Sequence, residues 1–211
     1  MKEIKVIMAS HLKPYPKSAQ NRVFKFIRAV NSFIQQTYEY KELIIVSDGC
    51  EMTNSIYEKQ YAQYQNITLI KLPKQPLLSG NVRQAGLDYL NDKDCIVCYL
   101  DSDDELEVHH LTNIISQFDD NLDFVYYDDK LKHNNGSLPI RIVTLDAGKV
   151  GTSSIAHKND VRIKWNLPNN KGDGYGHDRE MINNMITLNL KNKKINNCGY
   201  IVHHIPGIID N

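Results

Sequence analysis

Four short apolar runs in the first hundred residues, each separated from the next by a stretch of helical periodicity, restrict this chain more than any other feature. Ile4 to Ala9 reads as a buried strand, and Val23, Phe26, Ile27, Val30, Phe33 and Ile34 then recur at helical spacing. Leu43 to Val46 reads as a second strand ending in the turn Ser47-Asp48-Gly49, followed by a Tyr-rich amphipathic stretch to Tyr64. Ile67 to Leu72 makes a third strand, and Val82, Ala85, Gly86, Tyr89 and Leu90 make a helix. Ile96 to Leu100 makes a fourth strand that runs into Asp101, and Leu111, Ile114, Ile115 and Phe118 mark the helix after it. Parallel neighbours need a crossover, usually a helix, so this alternation predicts an α/β fold with a mostly parallel central sheet flanked by helices.

Beyond Phe124 to Tyr127 the rhythm loosens. A polar turn at His133 to Ser137, a strand at Ile155 to His157 and a Gly-rich segment from Asn169 to Gly176 come next. A helix carrying Met181, Ile182, Met185 and Ile186 and a strand at Tyr200 to His203 complete the reading. At 211 residues, the expectation is a single domain over residues 1–211.

Composition narrows the function classes. Lys plus Arg and Asp plus Glu number 25 each, so no general electrostatic pull toward nucleic acid exists, and any anion must be bound locally. The apolar fraction of 41% is that of a globular protein, and no apolar run approaches the roughly 18 residues that span a bilayer. The four cysteines are scattered, which favours a reducing, cytoplasmic setting. Cys95 and Cys98 form a C-x-x-C, but on a strand positions three apart face opposite sides of the sheet, which argues against a metal or redox pair.

In open α/β sheets, ligands bind beyond the carboxyl ends of the strands, and there the polar residues gather. Ser10 and His11 follow strand one, Asp48 follows strand two, and Asp101-Ser102-Asp103-Asp104 follows strand four. Carboxylates crowded in this way call for a hard cation, Mg²⁺ or Mn²⁺, although an acidic helix N-cap would give the same spelling.

The order and spacing of Ser10, Val46-Ser47-Asp48-Gly49, Gly80 with Arg83, and Tyr99-Leu100-Asp101-Ser102-Asp103-Asp104 resemble the family 2 inverting glycosyltransferases of the GT-A fold. The resemblance runs from the first strand to about Met181. It implies a nucleotide-binding, Rossmann-like half over residues 1–105 and a smaller acceptor-binding half over 106–211. It implies a metal-dependent enzyme that moves a sugar from a nucleotide diphosphate donor, commonly a UDP-sugar, to a hydroxyl of a glycan or lipid-linked acceptor.

Residue by residue, Asp48 matches the acid that meets the base, Arg83 a basic residue of the nucleotide pocket, and Asp101 the acid near the ribose; Ser10, His11 and Ser102 join this nucleotide set. Asp103 matches the ligand of Mn²⁺ or Mg²⁺, and His204 or its neighbour His203 is either a further ligand or a histidine that ends a strand facing solvent or a loop. Gly151 to Ser154 resembles the stretch beneath the sugar and acceptor, and Asp178 matches the catalytic base, a role compatible with capping the helix it begins. His177, where relatives carry Glu, bears on acceptor recognition, and Trp165 either stacks on an acceptor sugar or anchors packing. Ser47 and Gln84 depart from the usual Asp and Asn, and the loop after strand one, with Lys13 and Lys17, is longer than usual.

The expected partners are therefore a nucleotide sugar and a saccharide acceptor, with peripheral membrane association compatible with a lipid-linked one. Rival readings are a sugar nucleotidyltransferase, whose Gly-rich loop after strand one is replaced here by Ser10-His11-Leu12-Lys13-Pro14, and a non-catalytic nucleotide-sugar binding module.

Overall fold

The computed structural model describes residues 2–75, 79–146, 149–160, 162–165, 176–196 and 199–211. The first half alternates as its periodicity demands: β1 (Glu3–Ser10), α1 (Arg22–Ile34), β2 (Lys41–Asp48), α2 (Glu51–Ile56, continued by a π-helical turn at Tyr57–Tyr61), β3 (Ile67–Leu72), α3 (Ser79–Leu90) and β4 (Cys95–Tyr99). α1 has no side-chain N-cap. Burial of Phe26, Val30 and Phe33 against the sheet, at about 1.5–3 kcal/mol each, exceeds what a cap would add.

The second half is built of shorter pieces. They are β5 (Glu105–Leu106), α4 (His110–Ile115), β6 (Phe124–Tyr126), β7 (Asp129–Leu131), β8 (Ile140–Arg141), a 3₁₀ turn at Thr152–Ser154 leading into β9 (Ile155–Lys158), α5 (His177–Thr187), β10 (Asn192–Lys194), β11 (Tyr200–Val202), β12 (His204–Ile205) and β13 (Ile209–Asp210). The Gly-rich segment read from Asn169 to Gly176 lies outside the described residues except for Gly176 itself.

Among the described residues, seven strands form the central sheet in the order β10-β6-β9-β4-β1-β2-β3. β4, β1, β2 and β3 are mutually parallel, whereas β9 runs antiparallel to both β4 and β6. A four-stranded sheet, β5-β11-β7-β8, lies on the second half, and β12 pairs with β13.

The central strands are apolar on both faces because both faces are covered. Ile4, Val6, Met8, Leu43, Ile45, Ile96 and Cys98 form one core with α1, while Ile7, Ile44, Val46, Cys95, Val97 and Tyr99 form the other with α3 and α5. Cys95 and Cys98 thus lie in different cores, so the C-x-x-C holds no shared ligand, and burial pushes the Cys95 thiol up to about 11.

Register places the site. Ser10 of β1 lies opposite Ser47 of β2, and Ile7 lies opposite Tyr99 of β4. The segments after β1, β2 and β4 therefore leave the sheet along one rim.

Candidate active site

Ser10 closes β1 and is buried, its Oγ 2.9 Å from Thr53 Oγ1 at the start of α2. His11 follows; its Nδ1–H donates to the Asp48 carbonyl at 3.0 Å, tying the end of β1 to the end of β2. Arg22 donates to the His11 carbonyl from Nε at 3.0 Å and from Nη2 at 2.5 Å, and its guanidinium lies 4.8 Å from the centre of the Tyr15 ring. Lys13 and Lys17 are exposed on the same loop.

The Asp48 carboxylate is buried and already engaged. It accepts the Gln75 N–H at 2.6 Å and forms an ion pair with Lys74. Gly49 allows this, since it takes φ +57° and a Cβ there would come within 2.5 Å of the Lys74 nitrogen. Lys74 went unread in the sequence, where it is one of many lysines; only the approach of the β3 exit to the β2 turn identifies it.

Arg83 on α3 is the hub. It is buried, its Nη1 donates to Ser79 Oγ at 2.8 Å, and its Nη2 pairs with the Asp101 carboxylate. Nη1 also lies 4.0 Å from Asp178 Oδ1. Burial alone would work against its charge, but Asp101 and Asp178 outweigh it and hold the guanidinium protonated. One cation thus faces the acid after β4 and the acid at the start of α5.

The acidic turn is held by residues from the far end of the chain. Asp101 N–H donates to the Tyr200 hydroxyl at 3.0 Å, and that hydroxyl donates to Asp104 Oδ2 at 3.0 Å. His203 N–H donates to Asp104 Oδ1 at 2.8 Å, and Asp104 N–H to the Asp101 carbonyl at 3.1 Å. Asp104 is buried and structural, its carboxyl raised well above the usual range by burial and by the charges of Asp103 and Asp101. Asp103 is half-buried and is raised by burial and by Asp101, with Arg22 and His204 acting in the opposite sense. Ser102 is buried beside them.

Asp178 sits in the first turn of α5, 38% exposed at its side chain. The helix N-cap is Gly176 at φ 104°, so Asp178 is not the cap; its carboxylate turns to Thr152, whose N–H and hydroxyl both lie 3.4 Å from Oδ2. The Thr152–Ser154 turn rests on Asp129, which is wholly buried and accepts Ser153 Oγ at 2.7 Å, Ser154 Oγ at 2.9 Å and Arg141 Nε at 2.8 Å. Asp129 was invisible in the sequence because Tyr126-Tyr127-Asp128-Asp129-Lys130 spells an ordinary solvated turn.

Three of the expected residues engage the chain itself. Of its two readings, Trp165 takes the packing one: it is 3% exposed, its Nε1–H donates to Tyr99 Oη at 3.1 Å, and its ring meets Tyr99 edge-on at 5.1 Å. The Arg83 guanidinium covers its face at 5.0 Å. His177, expected on the acceptor side, is 2% exposed and packs against Gly80, where a Cβ would collide with the imidazole. The histidines near the C-terminus engage the chain itself: His203 Nε2 lies 3.0 Å from Glu105, while His204 Nε2 donates to the Lys17 carbonyl at 3.1 Å and its Nδ1 lies 3.3 Å from Asp210.

A mostly parallel α/β sheet that gathers carboxylates, a buried arginine and a second acid on its carboxyl rim has the GT-A fold. The chain belongs to glycosyl transferase family 2, whose model matches residues 19–182. Among solved structures it is similar to TarS 1–349 of S. aureus, with a TM-score of 0.72 and 18% identity over 95% of this chain and 60% of that one. The same S. aureus protein in complex with UDP aligns with a TM-score of 0.71 at 18% identity over 95% of this chain and 60% of that one. Its complex with UDP-GlcNAc gives 0.70 at 18% over 95% and 58%. At that identity the likeness establishes the fold, and the chain spans about 60% of the TarS 1–349 length. No curated protein matches it in sequence.

Proposed function

We propose that this domain transfers a sugar from a UDP-sugar to the hydroxyl of a saccharide acceptor, free or lipid-linked, with inversion at the anomeric carbon. The observation that carries the reading is Arg83, which faces Asp101 and Asp178 together. It puts the acid that ends β4 and the half-exposed acid that begins α5 on either side of one fixed positive charge. The complexes of TarS with UDP and UDP-GlcNAc support the choice of donor.

In this reading Asp48 meets the base at the rim of β2, and Ser10, His11, Arg83, Asp101 and Ser102 line the nucleotide. Asp178 accepts the acceptor's hydroxyl proton as that oxygen bonds to the anomeric carbon. The bond from that carbon to the diphosphate oxygen breaks, and the electron pair leaves with UDP. A general base of this kind contributes about 10²- to 10⁴-fold. Thr152 beside Oδ2 and Arg83 beside Oδ1 orient the carboxylate.

The residues present fit a hard divalent ion. Asp101 and Asp103 offer carboxylate oxygens, and burial and mutual repulsion raise Asp103, a condition that a cation relieves. Among the described residues, no three His, Cys, Asp or Glu are grouped to hold an ion unaided. Asp103 would hold Mn²⁺ or Mg²⁺ together with phosphate oxygens and water, the usual arrangement for such ions. When bound, the ion supplies charge stabilisation at the leaving diphosphate. Among the described residues no helix is long and apolar enough to cross a membrane.

Calorimetry tests the assignment. UDP should bind more tightly with Mn²⁺ than with EDTA, Asp103→Asn should lose most of that gain, and Asp178→Asn should keep UDP binding while turnover falls at least 10²-fold. Equal UDP affinity with and without Mn²⁺ would overturn the metal role, and full turnover in Asp178→Asn would remove Asp178 from the chemistry.

A further inference from the structure

The acidic turn has a second support, on the side of the sheet away from α3 and α5. Three polar residues of α1, Arg28, Ser32 and Gln36, stand four residues apart and so share one helix face, with Gln36 just past the last turn. Each hydrogen-bonds the backbone of the segment that carries the acids. Arg28 Nη2 donates to the Asp103 carbonyl at 2.7 Å. Ser32 Oγ accepts the Leu106 N–H at 3.1 Å, and the Gln36 amide donates to the Glu107 carbonyl at 2.8 Å and accepts the Leu111 N–H at 3.0 Å.

Ser32 and Gln36 are buried, and Arg28 is 20% exposed at its side chain. The Arg28 Nε is buried without a hydrogen bond, 3.9 Å from Glu105, and Glu105 in turn contacts His203 at 3.0 Å. Arg28 therefore meets the turn twice: directly at Asp103, and through Glu105 and His203, whose backbone N–H holds Asp104.

We propose that Arg28 is a positioning residue for the donor site: anchored in the α1 face that also carries Ser32 and Gln36, it fixes the backbone from which the Asp103 carboxylate is presented. This rests on the reading that Asp101 and Asp103 receive the donor diphosphate and its ion. Ser32 and Gln36 lock the stretch from Leu106 to Leu111, and of the three Arg28 reaches the acidic turn. Groups that orient metal-binding carboxylates without touching the ion typically change metal affinity by about 10- to 100-fold when removed.

The test is UDP binding to the full chain by calorimetry across a Mn²⁺ titration, with thermal melting run beside it. Arg28→Met keeps the aliphatic stem and removes the donors. It should raise the Mn²⁺ concentration for half-maximal UDP affinity by about tenfold, with UDP affinity in EDTA unchanged. Arg28→Lys, which retains a cation and a donor, should fall between Arg28→Met and the native protein. Should Arg28→Met not fold, Arg28→Lys carries the same measurement with a smaller expected shift.

A merely structural role predicts a lower melting temperature with the Mn²⁺ half-point unmoved, and that result would overturn the proposal. Native protein whose UDP affinity ignores Mn²⁺ would overturn the underlying reading and this proposal with it. Native dependence on Mn²⁺ combined with native half-points in both variants would overturn this proposal alone.

Discussion

Gly80 has no room for a side chain because the His177 ring occupies that space. The pair joins α3 to the first turn of α5, the elements that carry Arg83 and Asp178, so one absent methyl group bears on the spacing between two side chains of the proposed site. Gly80→Ala should cost about 1–3 kcal/mol through overpacking, read from urea denaturation. His177→Ala in that background should recover part of the loss, whereas additive losses would show that the two positions do not share this contact. At this scale the sequence is ambiguous wherever a polar residue is buried. His177, Asp129 and Lys74 all resemble surface residues, because a residue's partner is set by contacts between segments distant in sequence. Asp101, Asp103 and Asp178 were legible as candidates because their neighbours in sequence, an apolar strand or a helix start, already state where they leave the fold.

Among the elements, β9 shows most clearly what periodicity omits. Ile155 to His157 reads as a strand, but nothing local tells β9 to enter between β6 and β4 and run against both. Its His157 is wholly buried. Nδ1–H donates to the Lys158 carbonyl at 2.7 Å, leaving Nε2 to accept the Tyr99 hydroxyl at 2.8 Å, and Tyr99 Oη accepts Trp165 Nε1–H. Burial lowers the imidazole from 6.5 to about 4, against the opposing pull of the Lys158 carbonyl and Asp160. A base with a depressed folded pKa contributes stability that is complete above its unfolded value and is lost as the pH falls through the folded one. The native protein should therefore lose up to about 3 kcal/mol from this group between pH 6.5 and about 4. Denaturation midpoints across that range test this: His157→Gln should show a shallower acid slope, and an unchanged slope would place the titration elsewhere.

For the molecule as a whole, the carboxyl rim collects carboxylates, and among the described residues Asp103 forms no ion pair, so a bound donor and ion should stabilise the folded state. UDP with Mn²⁺ at about a hundred times its dissociation constant adds about 2.7 kcal/mol, or roughly 5–10 °C in Tm for a domain of this size. Differential scanning calorimetry reads that shift directly, and an unmoved Tm would mean that the rim does not take the donor. By itself the sequence determined the α/β class, the parallel half of the sheet and the rim where polar residues gather. Burial on both strand faces and the helical crossovers are written into local apolar spacing, which short-range sterics convert into structure. Only the tertiary structure decided that Trp165 and His177 are both buried, that Asp129 supports the Thr152–Ser154 turn, and that Arg83 faces two acids at once. Those outcomes depend on side chains up to about a hundred positions apart meeting in a desolvated interior, where pairing is decided by the geometry of the assembled layers.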